Sequence, residues 1–167
     1  MKTNESIQDQ AGALLRRSGK TVATAESCTG GLVGSLLTDV SGSSDYYRGG
    51  VIAYANAVKQ ELLGVEAQTL AAVGAVSEQT ALQMARCARQ LLHTDYALAT
   101  TGIAGPTGGT ATKPVGLVYL ALVGPGVERC EQHIWDRDRT GNKMLSAQRA
   151  LQMLVEHLHP DKMLEGK

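Results

Sequence analysis

The chain of 167 residues lacks phenylalanine and has only one tryptophan and five tyrosines, so its core must be built from Ala, Val, Leu and Ile. It also lacks an excess of charge, because 16 basic and 16 acidic residues give a net charge of zero at pH 7. This balance disfavours nucleic-acid binding through a broad basic face. No apolar run reaches the length of a membrane span, and we expect no signal peptide at the amino terminus.

Cysteine is also scarce in this chain. Cys28, Cys87 and Cys130 are odd in number and widely spaced, and they have neither zinc-ligand spacing nor the pattern of a disulfide framework. We therefore expect no metal site, and we expect a protein of the reducing cytoplasm.

Apolar patterns divide the chain into alternating helices and strands. The predicted helices cover about 5–17, 30–40, 56–63, 66–72, 77–92 and 144–158, and the predicted strands about 21–26, 50–54, 95–100, 117–123 and 127–134. The strand at 95–100 is apolar almost throughout, as expected for a parallel strand covered on both faces. The sequence therefore predicts a single α/β domain over 1–167 with its core at about 5–158. The expected architecture is a three-layer α/β/α sandwich with a mostly parallel sheet and an antiparallel edge hairpin.

The segment 21–31 predicts a strand, a tight turn and a helix, with Ser27, Cys28 and Thr29 at the turn. Open α/β sheets bind ligands at the carboxyl ends of their strands, and helix N-termini favour anions. Ser27 is a candidate nucleophile that needs a base. Cys28 is the alternative, because a helix N-terminus lowers the pKa of a thiol. The turn by itself is equally compatible with a purely structural helix cap.

Tyr54 and Lys59 follow the second predicted strand. If the first two strands are parallel, Tyr54 ends at the same sheet edge as Ser27, and Lys59 can point back at that edge from the next helix. Lysine there is a general base when burial lowers its pKa, or else an ordinary solvated side chain. The four histidines are not in obvious loops at the strand ends, so a Ser-His-Asp triad has little support. Lys59 is therefore the expected partner of a nucleophilic Ser27.

Two polar loops could complete such a site. The segment 100–116 follows a buried strand, and its glycines allow backbone N–H groups to approach a ligand closely. It matches neither the phosphate-binding loop nor the dinucleotide fingerprint. Loops of this length in compact domains are usually functional or disordered, and its low charge argues against disorder. In the shorter loop at 41–50, Ser44 or Arg48 could touch a polar ligand.

An ordered set of short motifs in this chain resembles the CinA C-terminal domain family, the nicotinamide-nucleotide amidohydrolases. The motifs are Thr24–Gly31, Gly42–Ser44, Tyr54 with Lys59, Gly74–Ser77, Thr101–Pro106 and Lys113–Gly116. The resemblance runs from about residue 5 to about residue 158. It is closest to the stand-alone form, without the larger amino-terminal domain that some members carry.

The resemblance implies hydrolysis of nicotinamide mononucleotide to nicotinic acid mononucleotide and ammonia, a salvage step that feeds NAD synthesis. It implies Ser27 as the nucleophile and Lys59 as its base, with Tyr54 and Ser44 supporting the proton network. Backbone N–H groups of the turn would stabilise the oxyanion. No step of this chemistry needs a metal or an organic cofactor.

The resemblance also implies a substrate pocket lined by Thr101 and Gly102. We add four further candidate substrate-binding residues from the turn and the glycine-rich loop: Glu26, Thr29, Gly30 and Gly105. The alternative for Thr29 and the paired glycines is a cap and a turn. Glu26 is open between a structural anchor and a partner of Lys59.

The chain departs from the family pattern after its last strand. Members usually have Gly-Asp-Arg there and a further Arg in the final helix, whereas here Trp135 stands where the Gly is expected. Without a gap, Gly141 falls where the further Arg belongs, and a two-residue insertion places Lys143 there instead. We therefore expect Arg137 or Lys143 to contact the phosphate or substrate, and a Lys would act as a point charge rather than a fork.

The expected partner is a small-molecule pyridine mononucleotide, with no direct nucleic acid and no membrane. We expect a homo-oligomer, with a dimer as the default for a small cytoplasmic enzyme. Two alternatives remain open at this stage. The altered segment 135–143 suggests a nucleotide-binding module without turnover, and the family's naming suggests a partner protein in competence or recombination.

Overall fold

The computed structural model describes residues 5–159. Six helices and five strands alternate through most of it, and a short 3-10 helix at Ser43–Asp45 precedes the second strand. The helices are α1 (Ile7–Ser18), α2 (Leu32–Thr38), α3 (Asn56–Glu61), α4 (Ala67–Val73), α5 (Glu78–Leu91) and α6 (Arg139–Leu158). The strands are β1 (Val22–Glu26), β2 (Tyr47–Ile52), β3 (Tyr96–Gly102), β4 (Leu117–Gly124) and β5 (Val127–Ile134).

The five strands form one mixed sheet in the order β2-β1-β3-β4-β5. β1 pairs in parallel with both β2 and β3, whereas β4 is antiparallel to β3 and to β5. Four strands therefore point in one direction and β4 alone points back. The predicted α/β fold, with a mostly parallel sheet and an antiparallel hairpin at its edge, is confirmed.

Helices cover both faces of the sheet because its central strands are apolar on both sides. Val22 and Leu98 pack on one face against α1, α2 and α6. Ala23 and Ala97, each adjacent in its strand to Val22 or Leu98, pack on the other face against α5 and the segment around α3. Successive strand residues point to opposite faces, so each small aliphatic side chain contributes to one of two cores.

Two predicted boundaries were wrong. β2 covers Tyr47–Ile52 rather than 50–54, with Gly49 and Gly50 in its middle. A Cβ on Gly50 would lie 2.0 Å from Thr24 Oγ1 of β1, so the glycine that the sequence suggests as a strand start lies inside the strand, where it allows close packing. α6 begins at Arg139 rather than near Met144, because the Asp138 side chain caps the helix by accepting from Gly141 N–H. That first turn is polar, so hydrophobic periodicity does not mark it.

Connections after β1, β2 and β3 leave from the same edge of the sheet, as parallel pairing requires. Ligand sites of open α/β sheets lie at this carboxyl edge. Within residues 5–159, no helix is long and apolar enough to cross a membrane, and no cluster of His, Cys, Asp and Glu could hold a metal ion.

Candidate active site

A cavity of about 280 Å³ opens at the carboxyl edge of the sheet. Its walls come from the turns after β1 and β2, the α4–α5 connection, the loop after β3, and the first turn of α6. The lining residues include Ser27, Cys28, Tyr54, Lys59, Ala75, Val76, Thr101, Gly102, Gly105, Thr107 and Arg139. Five separate chain segments thus converge where the sequence predicted a site.

The turn after β1 holds Ser27 in place through its backbone. Ser27 N–H donates to Thr100 O of β3 (2.9 Å), and Gly30 N–H donates back to Ser27 O (3.1 Å). Ser27 is 8% exposed and lines the cavity, so its side chain is largely buried in the cavity wall. A nucleophile here is supported by two neighbouring strands rather than by a mobile loop.

Lys59 lies one turn into α3 and is 1% exposed, although a lysine in the first turns of a helix is usually solvated. Its Nζ lies 3.0 Å from Ser27 Oγ, 2.7 Å from Ala53 O and 3.2 Å from Tyr54 O. Both carbonyls belong to the turn between β2 and α3, so the turn that leads into the helix also binds the lysine. The predicted contact between Ser27 and Lys59 is present.

The surroundings of Lys59 favour the neutral amine. Burial lowers the pKa of Lys59 from its ordinary value, and none of the ion pairs among residues 5–159 involves it. A neutral amine has two N–H donors and one lone pair. With the donors on Ala53 O and Tyr54 O, the lone pair is left for the Ser27 hydroxyl proton. The arrangement is therefore compatible with the predicted role of Lys59 as a general base.

Cys28 lines the same cavity, but its thiol is not in the reactive form. Burial raises the pKa of its thiol to about 12, which overcomes the smaller lowering by Thr100 and Lys59. The reactive form of cysteine is the thiolate, so this neighbour of Ser27 remains a protonated thiol. Of the two candidate nucleophiles at the turn, the structure favours Ser27.

Glu26 and Thr29, which the sequence predicted to bind substrate, are not among the residues that line the cavity. The Glu26 carboxylate is 1% exposed and accepts four hydrogen bonds, from Thr29 Oγ1 and from the N–H groups of Gly31, Val33 and Gly34. It therefore caps α2, whose first N–H groups have no partners within the helix. Thr29 completes this buried network through Thr100 Oγ1 (2.6 Å).

Tyr54 lines the cavity mouth and is 60% exposed. Its backbone carbonyl binds Lys59, but its hydroxyl accepts from Arg139 Nη2 (2.9 Å). The second nitrogen of Arg139, Nη1, donates to Gly105 O (2.8 Å). The Arg139 guanidinium therefore connects two walls of the cavity, and the tyrosine hydroxyl contacts this cation rather than the Ser27–Lys59 pair.

The loop after β3 supplies the wall that the sequence predicted from Thr101, Gly102 and Gly105, which all line the cavity. Thr101 Oγ1 donates to Ala75 O (2.7 Å), so this wall is bound to the α4–α5 connection. Gly102 has no room for a side chain, because a Cβ there would lie 2.6 Å from Leu117 O. Glycine is required here for close packing of the backbone.

Ser44, which the sequence predicted at this site, is not among the residues that line the cavity. It lies in the 3-10 helix that precedes β2, at the amino edge of the sheet, whereas the cavity lies at the carboxyl edge. The motif carrying Ser44 is close in sequence to the site but is separated from it by the length of β2.

The expected basic contacts also differ from the structure. Arg137 is exposed, its closest ion-pair partner is Asp136, and it lines only a neighbouring cavity of about 420 Å³. Lys143 Nζ lies 3.7 Å from where a Cβ of Gly30 would be, and neither residue lines the main cavity. The expected roles of Arg137, Lys143 and Gly30 in that cavity therefore have no support. Arg139, which was missed, lines both cavities.

Sequence reasoning overlooked Arg139, which lines the cavity, and Asn142, which binds the loop that forms one of its walls. Asn142 is buried, and its Nδ2 donates to Ala104 O (3.0 Å) while its Oδ1 accepts from Arg137 N–H. The signal that could have revealed both is the helix cap at Asp138: it places Arg139 at the first helical position and Asn142 one turn later.

Comparison with known proteins agrees with this arrangement. A model described as "CinA C-terminal domain" matches residues 4–158. A "CinA-like protein" of Trichormus variabilis is 52% identical over 158 residues, which are 93% of this chain and 38% of that protein. One of Nostoc is 58% identical over 125 residues, 75% of this chain and 30% of that protein. The chain thus spans less than two fifths of the length of these curated relatives.

Solved structures match over nearly their whole length. The competence/damage inducible protein CihA of Agrobacterium tumefaciens has a TM-score of 0.86 at 42% identity, covering 90% of this chain and 94% of that one. A competence-damaged protein (CinA) superfamily protein of Enterobacter cloacae has a TM-score of 0.88 at 29% identity, covering 95% and 96%. The mixed sheet and the helices that cover it are therefore shared with these solved structures.

Proposed function

Because the chain belongs to the CinA C-terminal domain family, we propose that it is an amidohydrolase that converts nicotinamide mononucleotide to nicotinic acid mononucleotide and ammonia. The observation that carries the proposal is the 3.0 Å contact between Lys59 Nζ and Ser27 Oγ, which joins two buried side chains. A buried amine beside a serine hydroxyl is suited to nucleophilic cleavage of an amide.

The first step is attack by Ser27 on the carboxamide carbon. Lys59 takes the hydroxyl proton through its lone pair, while Ala53 O and Tyr54 O keep its two N–H groups in position. The resulting oxyanion needs donors that are already oriented, each worth roughly 3 kcal/mol. The N–H groups of Gly31, Val33 and Gly34 already donate to Glu26 and are therefore not available to the oxyanion.

Two N–H groups of the turn remain as candidates for the oxyanion. Gly30 N–H donates to Ser27 O and Leu32 N–H to Thr29 O, which leaves those of Cys28 and Thr29. The Lys59 ammonium then gives its proton to the departing nitrogen, and ammonia leaves. A water attacks the acyl ester on Ser27 with Lys59 again as base, and nicotinic acid mononucleotide is released.

We assign the substrate phosphate to Arg139. Its guanidinium has five N–H donors, of which two contact Gly105 O and Tyr54 Oη, so three remain for an anion. Arginine binds phosphate through two parallel hydrogen bonds, which fixes orientation as well as charge. Because Arg139 lines both neighbouring cavities, a nucleotide can keep its carboxamide at Ser27 and extend towards the second cavity.

The test is incubation of the purified chain with nicotinamide mononucleotide, with ammonia and nicotinic acid mononucleotide measured separately. We expect equal amounts of both products. Ser27→Ala is expected to lower kcat by about 10³-fold or more, as loss of a nucleophile does. Ser35→Ala is the matched control, because Ser35 is exposed on α2 and does not line the cavity.

Three outcomes separate the candidates. Product formation that depends on Ser27 supports the amidohydrolase. Product formation that survives Ser27→Ala contradicts the proposed nucleophile. Binding of the nucleotide in calorimetry without any ammonia contradicts the enzyme and favours a binding module.

A further inference from the structure

Lys113 lies in the loop between β3 and β4. Its side chain binds the α4–α5 connection, which forms another wall of the cavity. Its Nζ donates to Val73 O (2.6 Å) and to Val76 O (2.8 Å). The side chain is half-buried, and none of the ion pairs among residues 5–159 involves it. Its ammonium is therefore used for two backbone carbonyls at the end of α4 rather than for a carboxylate.

These carbonyls belong to a segment, Val73–Val76, whose four successive carbonyl groups all accept from side chains. Lys113 binds the first and the last, Ser77 and Thr80 bind Gly74 O (3.0 and 2.8 Å), and Thr101 binds Ala75 O. The segment connects α4 to α5. Side chains of the glycine-rich loop, of the end of β3 and of the start of α5 therefore determine its conformation.

The same segment forms part of the cavity, since Ala75 and Val76 line it. Gly74 makes the turn possible at a φ of +79°, and a Cβ there would lie 3.2 Å from Lys113 Nζ. Lys113 itself sits in a turn closed by Thr110, whose N–H donates to Lys113 O (2.7 Å) and whose Oγ1 accepts from Lys113 N–H (3.0 Å). The ammonium thus joins the glycine-rich loop to the Val73–Val76 wall.

We propose that Lys113 is a positioning residue that fixes this wall against the glycine-rich loop and so determines how tightly the cavity binds its nucleotide. Lys113 lines no part of the main cavity, so its effect passes through Ala75 and Val76. The wall contributes no group to the Ser27–Lys59 contact. Loss of the ammonium should therefore weaken binding more than it slows the reaction. This effect on substrate rests on the amidohydrolase function proposed above.

The experiment compares Lys113→Met, Lys113→Arg and Lys20→Met with the unchanged chain. Lys20→Met is the matched control, because Lys20 pairs with Asp95 at the opposite edge of the sheet. Backbone hydrogen exchange is followed in the peptide covering 70–80, without any substrate. KM and kcat for nicotinamide mononucleotide are measured on the same preparations.

We expect exchange in 70–80 to become about tenfold faster in Lys113→Met, which is the loss of a hydrogen bond to a charged group. KM should rise about tenfold with kcat changed less, and Lys113→Arg should restore most of both, since it keeps a cation that can donate to two carbonyls. Unchanged exchange in 70–80, or equally faster exchange in Lys20→Met, overturns the proposal. A fall in kcat with KM unchanged also overturns it. If the unchanged chain has no deamidase activity but exchange responds as expected, the proposed function fails while the positioning of the wall stands.

Discussion

Two ionisable side chains are buried near the carboxyl ends of the neighbouring parallel strands β1 and β2. They are Glu26 and Lys59, and their hydrogen-bond partners differ in kind. After β1, Glu26 is 1% exposed and accepts four hydrogen bonds, three of them from backbone N–H groups of the helix it precedes. After β2, Lys59 is equally buried but contacts only two carbonyls and one hydroxyl. Burial is the same in both turns and only the partners differ.

The comparison separates a structural charge from a reactive one. A carboxylate surrounded by donors is stable as an ion, because each hydrogen bond favours the charged form. A lysine without a counter-ion is driven towards the neutral amine, and burial lowers the pKa of Lys59 accordingly. The first arrangement stabilises a helix terminus, and the second supplies the base beside Ser27 that the proposed mechanism needs.

Of the changes to the two turns' buried side chains, removal of the amine should have the largest effect. Lys59→Met is expected to lower kcat for nicotinamide mononucleotide by about 10³-fold, the middle of the range for general acid–base catalysis. The free energy of unfolding should stay the same or rise, because a buried amine without a counter-ion is replaced by an apolar side chain. Ammonia release and urea denaturation measure the two effects.

The control for this variant is Lys20→Met, which removes an ammonium from the opposite sheet edge and should leave kcat unchanged. Full activity in Lys59→Met would remove the distinction between the two turns. A large loss of stability there would mean that Lys59 is structural in the way that Glu26 is.

The structural turn should respond in the reverse manner. Glu26→Gln places an NH₂ group against donors, so we expect a loss of about 3 kcal/mol in the free energy of unfolding. Thr29→Val, which removes one of the four donors, should lose about 1 kcal/mol. Urea denaturation gives both values, and an unchanged stability of Glu26→Gln would contradict the capping role.

A smaller effect is expected in the pH dependence of stability. Because the folded pKa of Lys59 is lowered, the unfolded chain binds more protons between that pKa and the ordinary value of about 10.4. The free energy of unfolding should therefore rise with pH across this window, by at most about 1.4 kcal/mol per pH unit. Below the window, both states are protonated and the penalty on folding is complete.

The same titration should govern catalysis, since only the neutral amine can accept the Ser27 proton. We expect kcat/KM to increase with pH up to the lowered pKa of Lys59.

The pH dependence of stability is checked by a comparison of urea denaturation across pH for the unchanged chain and Lys59→Met. The rise assigned to Lys59 must be absent from the variant, and an identical profile would contradict the assignment.

The smallest effect is expected at Cys28, beside the nucleophile. With a thiol pKa of about 12, roughly one molecule in 10⁴ carries the thiolate at pH 8. Cys28→Ala should therefore keep its deamidase activity, and iodoacetamide should inactivate the unchanged chain only slowly. Loss of activity in Cys28→Ala together with rapid alkylation would make the thiol, and not Ser27, the reactive group.

Local patterns predicted most of the fold. β5 was predicted over its observed residues 127–134, because apolar alternation after a Gly-Pro-Gly turn is a strictly local signal. The contact between Ser27 and Lys59 was also accessible, because parallel neighbouring strands place their following turns at one edge. These conclusions needed only periodicity and strand direction.

The rest depends on contacts between distant segments. Arg139 reaches Tyr54 across 85 positions of the chain, and no periodic pattern predicts which polar residue of a helix start will do so. Ser44 was misplaced because short motifs record order along the chain but not the edge of the sheet at which a loop lies. Glu26 was left open because its four donors follow it within eight residues of sequence, yet only folded geometry brings them to one carboxylate.

Labelling with a small sulfonyl fluoride tests the central claim, that Lys59 activates Ser27, most directly and without any substrate. Peptide mass spectrometry should find one label, on Ser27, whose rate rises with pH and which disappears in Lys59→Met. Labelling of Ser27 at an unchanged rate in Lys59→Met, or labelling confined to other residues, would contradict the account.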